Sequence, residues 1–272
     1  MPVNLASKFS SKVAERFSIS SITDAHAGHD YSFAGVKTVS IYSIDTVPLA
    51  NYTRSGTARY GSLTELGDTV QELTMTQDKG FTFSVDAGNN SEQLNIKGAN
   101  KALKREIDEV ITPHIDKYRF AAWTAGAGNT EIVTPTKANI IELIMAGTNV
   151  LDDALVPSAG RTLFIAAKFY TLLKLNPDFI GIDKLGEKAL AKGVVGEIDG
   201  MKVVKVPGSW FTDDQAFIIK YRNSTVDPFK LKNYRIHKSP MGVDGNVVEG
   251  RLLFDSFVLE TKRNGIYVAT TA

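Results

Sequence analysis

One stretch, DAHAGHD, gathers enough nitrogen and oxygen ligands to invite a metal: Asp24, His26, His29 and Asp30 fall within seven residues. Two imidazoles and two carboxylates suit a divalent cation. Their spacing follows no standard ligand pattern, however, and a polar linker has the same composition, so no metal site is expected. Gly126-Ala127-Gly128 is the nearest approach to a phosphate-cradling loop. A dinucleotide fingerprint follows a strand and opens a helix, whereas this one follows a predicted helix and reads as a helix-to-helix turn. His114 and His237 stand alone. Asp152 and Asp153 are adjacent near a helix end, so they do not share a face. No serine, histidine and aspartate grouping stands out. The chain has no cysteine, which removes disulfides, thiolate metal sites and cysteine nucleophiles and fits an intracellular assembly site. No catalytic, cofactor-binding or metal-binding residue is assigned.

Composition narrows the classes further. The 272 residues, 43% of them hydrophobic, can bury one large core or two joined ones. Lys and Arg number 31 against 30 Asp and Glu, a net charge of +1, and the two signs are interspersed. That pattern lacks the basic stripe of a polyanion binder. The opening MPVNLASKFSSKVAERFS has no long apolar region, and no run of about 18 apolar residues occurs, so neither a secretory signal nor a membrane span is expected.

Without a reactive constellation, the elements themselves become informative. Asn4 can cap a short amphipathic helix whose stripe is Leu5, Phe9, Val13 and Phe17, with Lys8, Lys12, Glu15 and Arg16 opposite. Strand alternation starts near Lys37, with Val39 and Ile41 on one face. It resumes near Val70, with Leu73 and Met75 on one face, then Phe81, Phe83 and Val85. Together these predict a long β-hairpin. Its tip is NYTRSGTARYGSLTELGDT, Asn51 to Thr69, with three glycines, four threonines, two arginines and two acids. Little in it reads as apolar enough to bury. Connections beyond about 12–15 residues are uncommon unless functional, so the tip demands a partner outside its own core.

A helix follows, with Leu94, Leu103, Ile107, Val110, Ile111, Ile115 and Tyr118 as its stripe and Pro113 as an expected kink or break. TPTKANIIELIMAGTNVLDDALVP predicts a second helix capped by Thr136, lined by Ile141, Ile144, Thr148, Leu151 and Leu155 and stopped by Pro157. RTLFIAA, GVVGEIDGMKVVKVP and QAFIIKYR read as strands and KFYTLLKL as a short helix, an α/β arrangement. At the end, Arg263-Asn264-Gly265 predicts a hairpin turn between two alternating runs.

This order of parts resembles the major capsid protein of tailed bacteriophages, the Hong Kong 97 type, as found in phages of Gram-positive hosts. The stretches that carry the resemblance are SIDTVPLANYTRSGTARYG, ELGDTVQELTMTQDKGFTF, DAGNNSEQLNIKGANKALKREIDEVITPHIDKYRFAAW and GVVGEIDGMKVVKVP. It implies an α+β chain with a Hong Kong 97-like fold. Residues 1–35 would be the N-terminal arm. Residues 36–130 would form the peripheral domain, with an extended loop over about 44–78 and a spine helix over about 91–125. Residues 131–240 would form mostly the axial domain, and 241–272 the strands returning to the peripheral domain. The implied function is a structural subunit that assembles as pentamers and hexamers into an icosahedral shell around a double-stranded DNA phage genome. It would be made in the host bacterial cytoplasm and reside in the virion. Its partners would be other copies of itself, a portal and packaged DNA without sequence-specific contacts; since the chain opens directly at the arm, it would rely on a separate scaffolding protein or on none. No covalent crosslinking site is expected. Phe9 and Phe17 on the arm, and Arg54, Arg59, Glu65 and Asp68 on the loop, are the candidate subunit contacts. Two other readings stay open: an encapsulin-like compartment shell, and a soluble α/β enzyme with a flexible lid at residues 51–69.

Overall fold

A computed structural model of the chain describes residues 20–28, 31, 33, 37–87, 99–176, 180–181, 194–212, 214–238 and 240–271. The arm helix with Phe9 and Phe17 lies outside them, as do His29, Asp30 and Leu94. Strands β1 (Thr38–Ile44) and β2 (Asp68–Thr74) pair antiparallel over seven residues, from Thr38 opposite Thr74 to Ile44 opposite Asp68. Burial along β1 alternates as the sequence predicts, with Val39 and Ile41 inward. The predicted hairpin is shorter than expected, because β3 (Gln77–Asp86) leaves it after Thr76 and joins another sheet.

The spine consists of α1 (Ala99–Glu106), a π turn (Ile107–Ile111) and α2 (Thr112–Ala125). Pro113 neither ends nor breaks it. It sits at the start of α2, where the π turn just before it accommodates the ring and the missing N–H. The turn also shifts the helical phase, so Leu103, Ile111 and Ile115 are buried while Val110 turns outward.

After β4 (Asn129–Ile132) comes α3 (Ile140–Asp153). Thr136 and Asn139 hold its entry reciprocally: Asn139 N donates to Thr136 Oγ1 at 3.3 Å and Thr136 N to Asn139 Oδ1 at 2.7 Å. Ile144, Thr148 and Leu151 are buried as predicted. Leu155 is not on that face; it lies past the helix in a left-handed conformation (φ 57°), exposed, where the chain turns before Pro157. Then follow β5 (Arg161–Ala166), α4 (Ala167–Lys174), β6 (Ile180–Gly181), β7 (Val194–Ile198), β8 (Met201–Val206) and β9 (Gln215–Tyr221). Asp199 (φ 49°) and Gly200 (φ 70°) supply the left-handed pair that the two-residue β7–β8 turn requires. The chain closes with β10 (Thr225–Val226), β11 (Phe229–Lys238), β12 (Gly245–Phe254), β13 (Phe257–Val258) and β14 (Ile266–Thr270).

Two main sheets result. The larger runs β4-β14-β9-β5-β8-β7-β6, with β5–β8 and β14–β4 parallel and the other pairs antiparallel. Leu163, Ile219 and Tyr267 lie side by side on one face, and Phe164, Ile218 and Val268 on the other. Gly147 of α3 meets the first face at Tyr267 and Ile219. Phe120 and Trp123 of α2 pack on Phe164 of the second, with ring centroids 5.4 and 5.5 Å away. Helices on both faces explain why all six residues of β5 are buried. The smaller sheet runs β11-β12-β3, and Ile111 and Ile115 of the spine pack on its Leu252 and Phe254. The spine thus joins one sheet at its start to the other at its end.

The C-terminal strands divide between the sheets. β12 lies in the smaller one, and β14 enters the larger between β4 and β9. No hairpin forms at Arg263-Asn264-Gly265 either. Glu260–Gly265 is a 3₁₀ turn, and apolar Ile266, Tyr267, Val268 and Ala269 complete the buried sheet instead.

Candidate assembly surface

The β1–β2 hairpin is fastened at its root. Leu73 and Met75 are buried with Phe33, Val226, Leu253 and Leu259, and half-buried Val39 and Ile41 pack on the same cluster. Thr76 donates to Asp255 Oδ2 from its amide at 2.7 Å and its hydroxyl at 3.0 Å. The other carboxylate oxygen accepts the Tyr118 hydroxyl at 2.7 Å, so Asp255 ties the root to the spine. Burial, reinforced by that carboxylate, pushes the Tyr118 hydroxyl up to about 12. Above Leu73, Gln71 donates from Nε2 to Val258 O and accepts from Glu260 N, both at 3.0 Å.

Beyond Gln71 the hairpin stands clear. The Asp45 amide donates to Gly67 O at 3.0 Å, one step past the ladder. Further out the tip folds on itself: Thr53 N donates to Arg59 O at 3.0 Å, and Tyr52 and Tyr60 meet edge to face at 5.1 Å. Gly56 (φ 88°) and Gly61 (φ 91°) hold left-handed turns that other residues adopt only with strain.

All four loop candidates are exposed. Arg59 donates from Nε to the tip's own Gly56 O at 3.0 Å. Asp68 lies across the ladder from Ile44. Among the described residues no ion pair joins Arg54 or Arg59 to Glu65 or Asp68.

The same segment carries large apolar residues beside these charges. Of seventeen exposed large hydrophobics among the described residues, nine lie between Tyr42 and Val70. Leu49 and Leu63 are fully exposed, Tyr60 is 87% exposed, and Tyr52 and Leu66 are more than half exposed. Exposed apolar residues concentrated in this way mark interaction sites. Their signal in the sequence was a set of leucines and tyrosines at no helical or strand period.

The chemically suggestive residues serve packing. Among the described residues no group of three or more His, Asp or Glu could hold a metal. His26 is buried, its Nδ1 3.0 Å from Thr162 Oγ1 and its ring edge-on to Phe164. His114 stands edge-on to Phe254, and Asp152 pairs with Arg161 at 2.6 Å. His237 Nε2 lies 2.9 Å from Glu249 Oε1, and this hydrogen bond holds the Glu249 carboxyl below its ordinary value. Gly126 and Gly128 form a helix-to-strand turn, not a helix-to-helix one. A side chain on Gly126 would strike Val258, and one on Gly128 would strike Asn264 and Arg263.

A buried polar network holds residues 21–28 against the body. Asp116 accepts from Ser21 Oγ at 2.8 Å, Ile22 N at 3.0 Å and Thr23 Oγ1 at 2.5 Å, and burial raises its pKa. Asp227 accepts from Gly28 N and Trp123 Nε1, each at 3.1 Å. Lys220 donates from Nζ to His26 O at 2.9 Å and Arg222 O at 3.2 Å, and lies 4.5 Å over the Trp123 ring. Burial lowers its pKa to about 8. These groups meet one another and the backbone inside the core, not an open cleft.

Neither a protein-family model nor a curated protein sequence matches the chain. Solved structures do. A chain from Mycobacterium phage Che8 superposes with a TM-score of 0.74 at 16% identity, over 98% of this chain and 97% of that one. The capsid structure of the cyanophage P-SCSP1u gives 0.73 at 12% identity, over 98% and 93%. This is the phage capsid fold. A virus-like particle from Pyrococcus furiosus shares it more distantly, at a TM-score of 0.56 and 9% identity over 90% of each chain. In this capsid fold residues 44–70 of the hairpin, all but Gly61 exposed, form the longest exposed run of the described chain.

Proposed function

We propose that the chain is the major capsid protein of a tailed phage, a structural subunit and not an enzyme. It assembles as pentamers and hexamers into an icosahedral shell around double-stranded DNA. The observation that carries this reading is the pairing of a phage capsid fold with a hairpin whose large apolar residues face solvent. A two-stranded hairpin is marginal by itself, and burial against a second copy supplies what it lacks, as in large obligate interfaces. Leu49, Tyr60 and Leu63 supply apolar contact in that interface, and Arg54, Arg59, Glu65 and Asp68 its polar rim. Phe9 and Phe17 add the arm's contribution. The spine and the smaller sheet form the peripheral part, and the larger sheet the axial part. The +1 net charge suits a wall that meets DNA without gripping it. Scaffolding protein and portal complete the assembly in the host cytoplasm, and the virion is its destination.

Negative-stain microscopy and sedimentation of the purified chain test the reading. Closed particles are expected; a small homogeneous species under every assembly condition would sink it. Particle contents decide between shells of this fold. Nucleic acid marks a virion, and enclosed enzyme marks a compartment.

A further inference from the structure

β2 leaves the body between two cavities. One, of about 330 Å³, is lined by Ile41, Tyr42, Val70, Leu259 and Lys262; the other, of about 320 Å³, by Glu72, Leu73, Ala125, Phe257 and Arg263. Gln71 lines both. Among the described residues it is the one side chain of β1 or β2 outward of Leu73 that hydrogen-bonds to the body. Inward of it Leu73 is buried; outward of it Asp68, Thr69 and Val70 of β2 are exposed.

We propose that Gln71 is the pin that fixes the tilt of the hairpin against the body. The chemistry favours glutamine at this point. Val258 presents a carbonyl and Glu260 an amide, so the clamp needs one donor and one acceptor on a single planar group. Glutamate loses the donor, and leucine loses both. Hydrogen bonds between neutral groups are weak net of water's competition, so the pin holds one orientation in the free subunit and yields when the tip is engaged. Ten residues separate Gln71 from Gly61, a reach of at most roughly 33 Å, so a tilt of about 10° carries the tip by up to roughly 6 Å. That the yielding serves subunits in unlike positions rests on the assembly reading; the pin itself does not.

The chain has no cysteine, so Ser62→Cys on the tip and Lys117→Cys on the spine provide the only thiols for spin labels. Pulsed electron paramagnetic resonance on this labelled subunit reads the tilt directly. With Gln71 intact a single narrow distance distribution is expected. Q71L should widen it at least about twofold while the melting temperature stays within about 3 °C. An unchanged width overturns the pin. Should Q71L melt lower than that, Q71E, which keeps the acceptor and nearly the same volume, repeats the test: a wider distribution supports the pin and an unchanged one overturns it. Particle formation by the unaltered chain is scored separately. Its failure would fall on the assembly reading and leave the distance result standing.

Discussion

Lys220 lies in QAFIIKYR, predicted as a strand, and lysines are ordinarily exposed. It is instead wholly buried, because residues 26–28 close over it and offer the His26 carbonyl. A covering segment from the far end of the chain leaves no trace in local periodicity, and for that reason the site was not legible. The consequence is measurable. A folded-state pKa lowered from 10.5 to about 8 means that the folded chain holds the charged amine at a penalty below pH 8. Between pH 8 and 10.5 the unfolded chain binds more protons, so this group adds stability as pH rises. Chemical denaturation from pH 7 to 10 should show that upward contribution in the unaltered protein and lose it in Lys220→Met; parallel profiles would refute it. Asp116→Ala strips three donors of residues 21–23 of their acceptor. A loss of about 2–3 kcal/mol is expected, with faster hydrogen exchange at the Ile22 amide as the local readout.

Elements were legible where their burial is local. The alternation of β1 and β3, the buried run of β5 and the Ile144, Thr148 and Leu151 stripe of α3 follow from patterns that the packed structure uses. The misreadings share a cause: a distant partner decided them. Thr76 ends the hairpin because Asp255 accepts from it, and β14 abandons the Asn-Gly turn because an apolar slot between β4 and β9 takes it. At this scale Gly147 makes a sharp test. A β-carbon there would lie 2.8 Å from Tyr267 and 2.9 Å from Ile219, both in the core. Gly147→Ala should cost about 1–3 kcal/mol, read as a lower urea midpoint with an unchanged slope. The hairpin predicts the opposite balance. Replacing residues 46–66 with a two-residue Asn-Gly turn keeps every β1–β2 pair, so the melting temperature should move by no more than about 3 °C while particles disappear from sedimentation profiles.

The molecule as a whole is two sheets on one strut, with a hairpin held beside them. Apolar residues at its tip do nothing for the free subunit, so serine at Leu49, Leu63 and Leu66 together should leave the denaturation midpoint unchanged. Particle yield should fall at least tenfold; equal yields would show that the leucines face solvent in the shell too. The placement of β14 adds a matter of timing. β1 and β2 can pair once residue 74 has been made, but the larger sheet cannot close until residues 266–270 arrive to separate β4 from β9. At bacterial synthesis rates of roughly 5–20 residues per second, that interval lasts about 10–40 s. Throughout it, a nascent chain carries the exposed apolar tip on a body still missing the strand that joins β4 to β9. On a polysome making many copies side by side, the danger is a neighbour that binds too early.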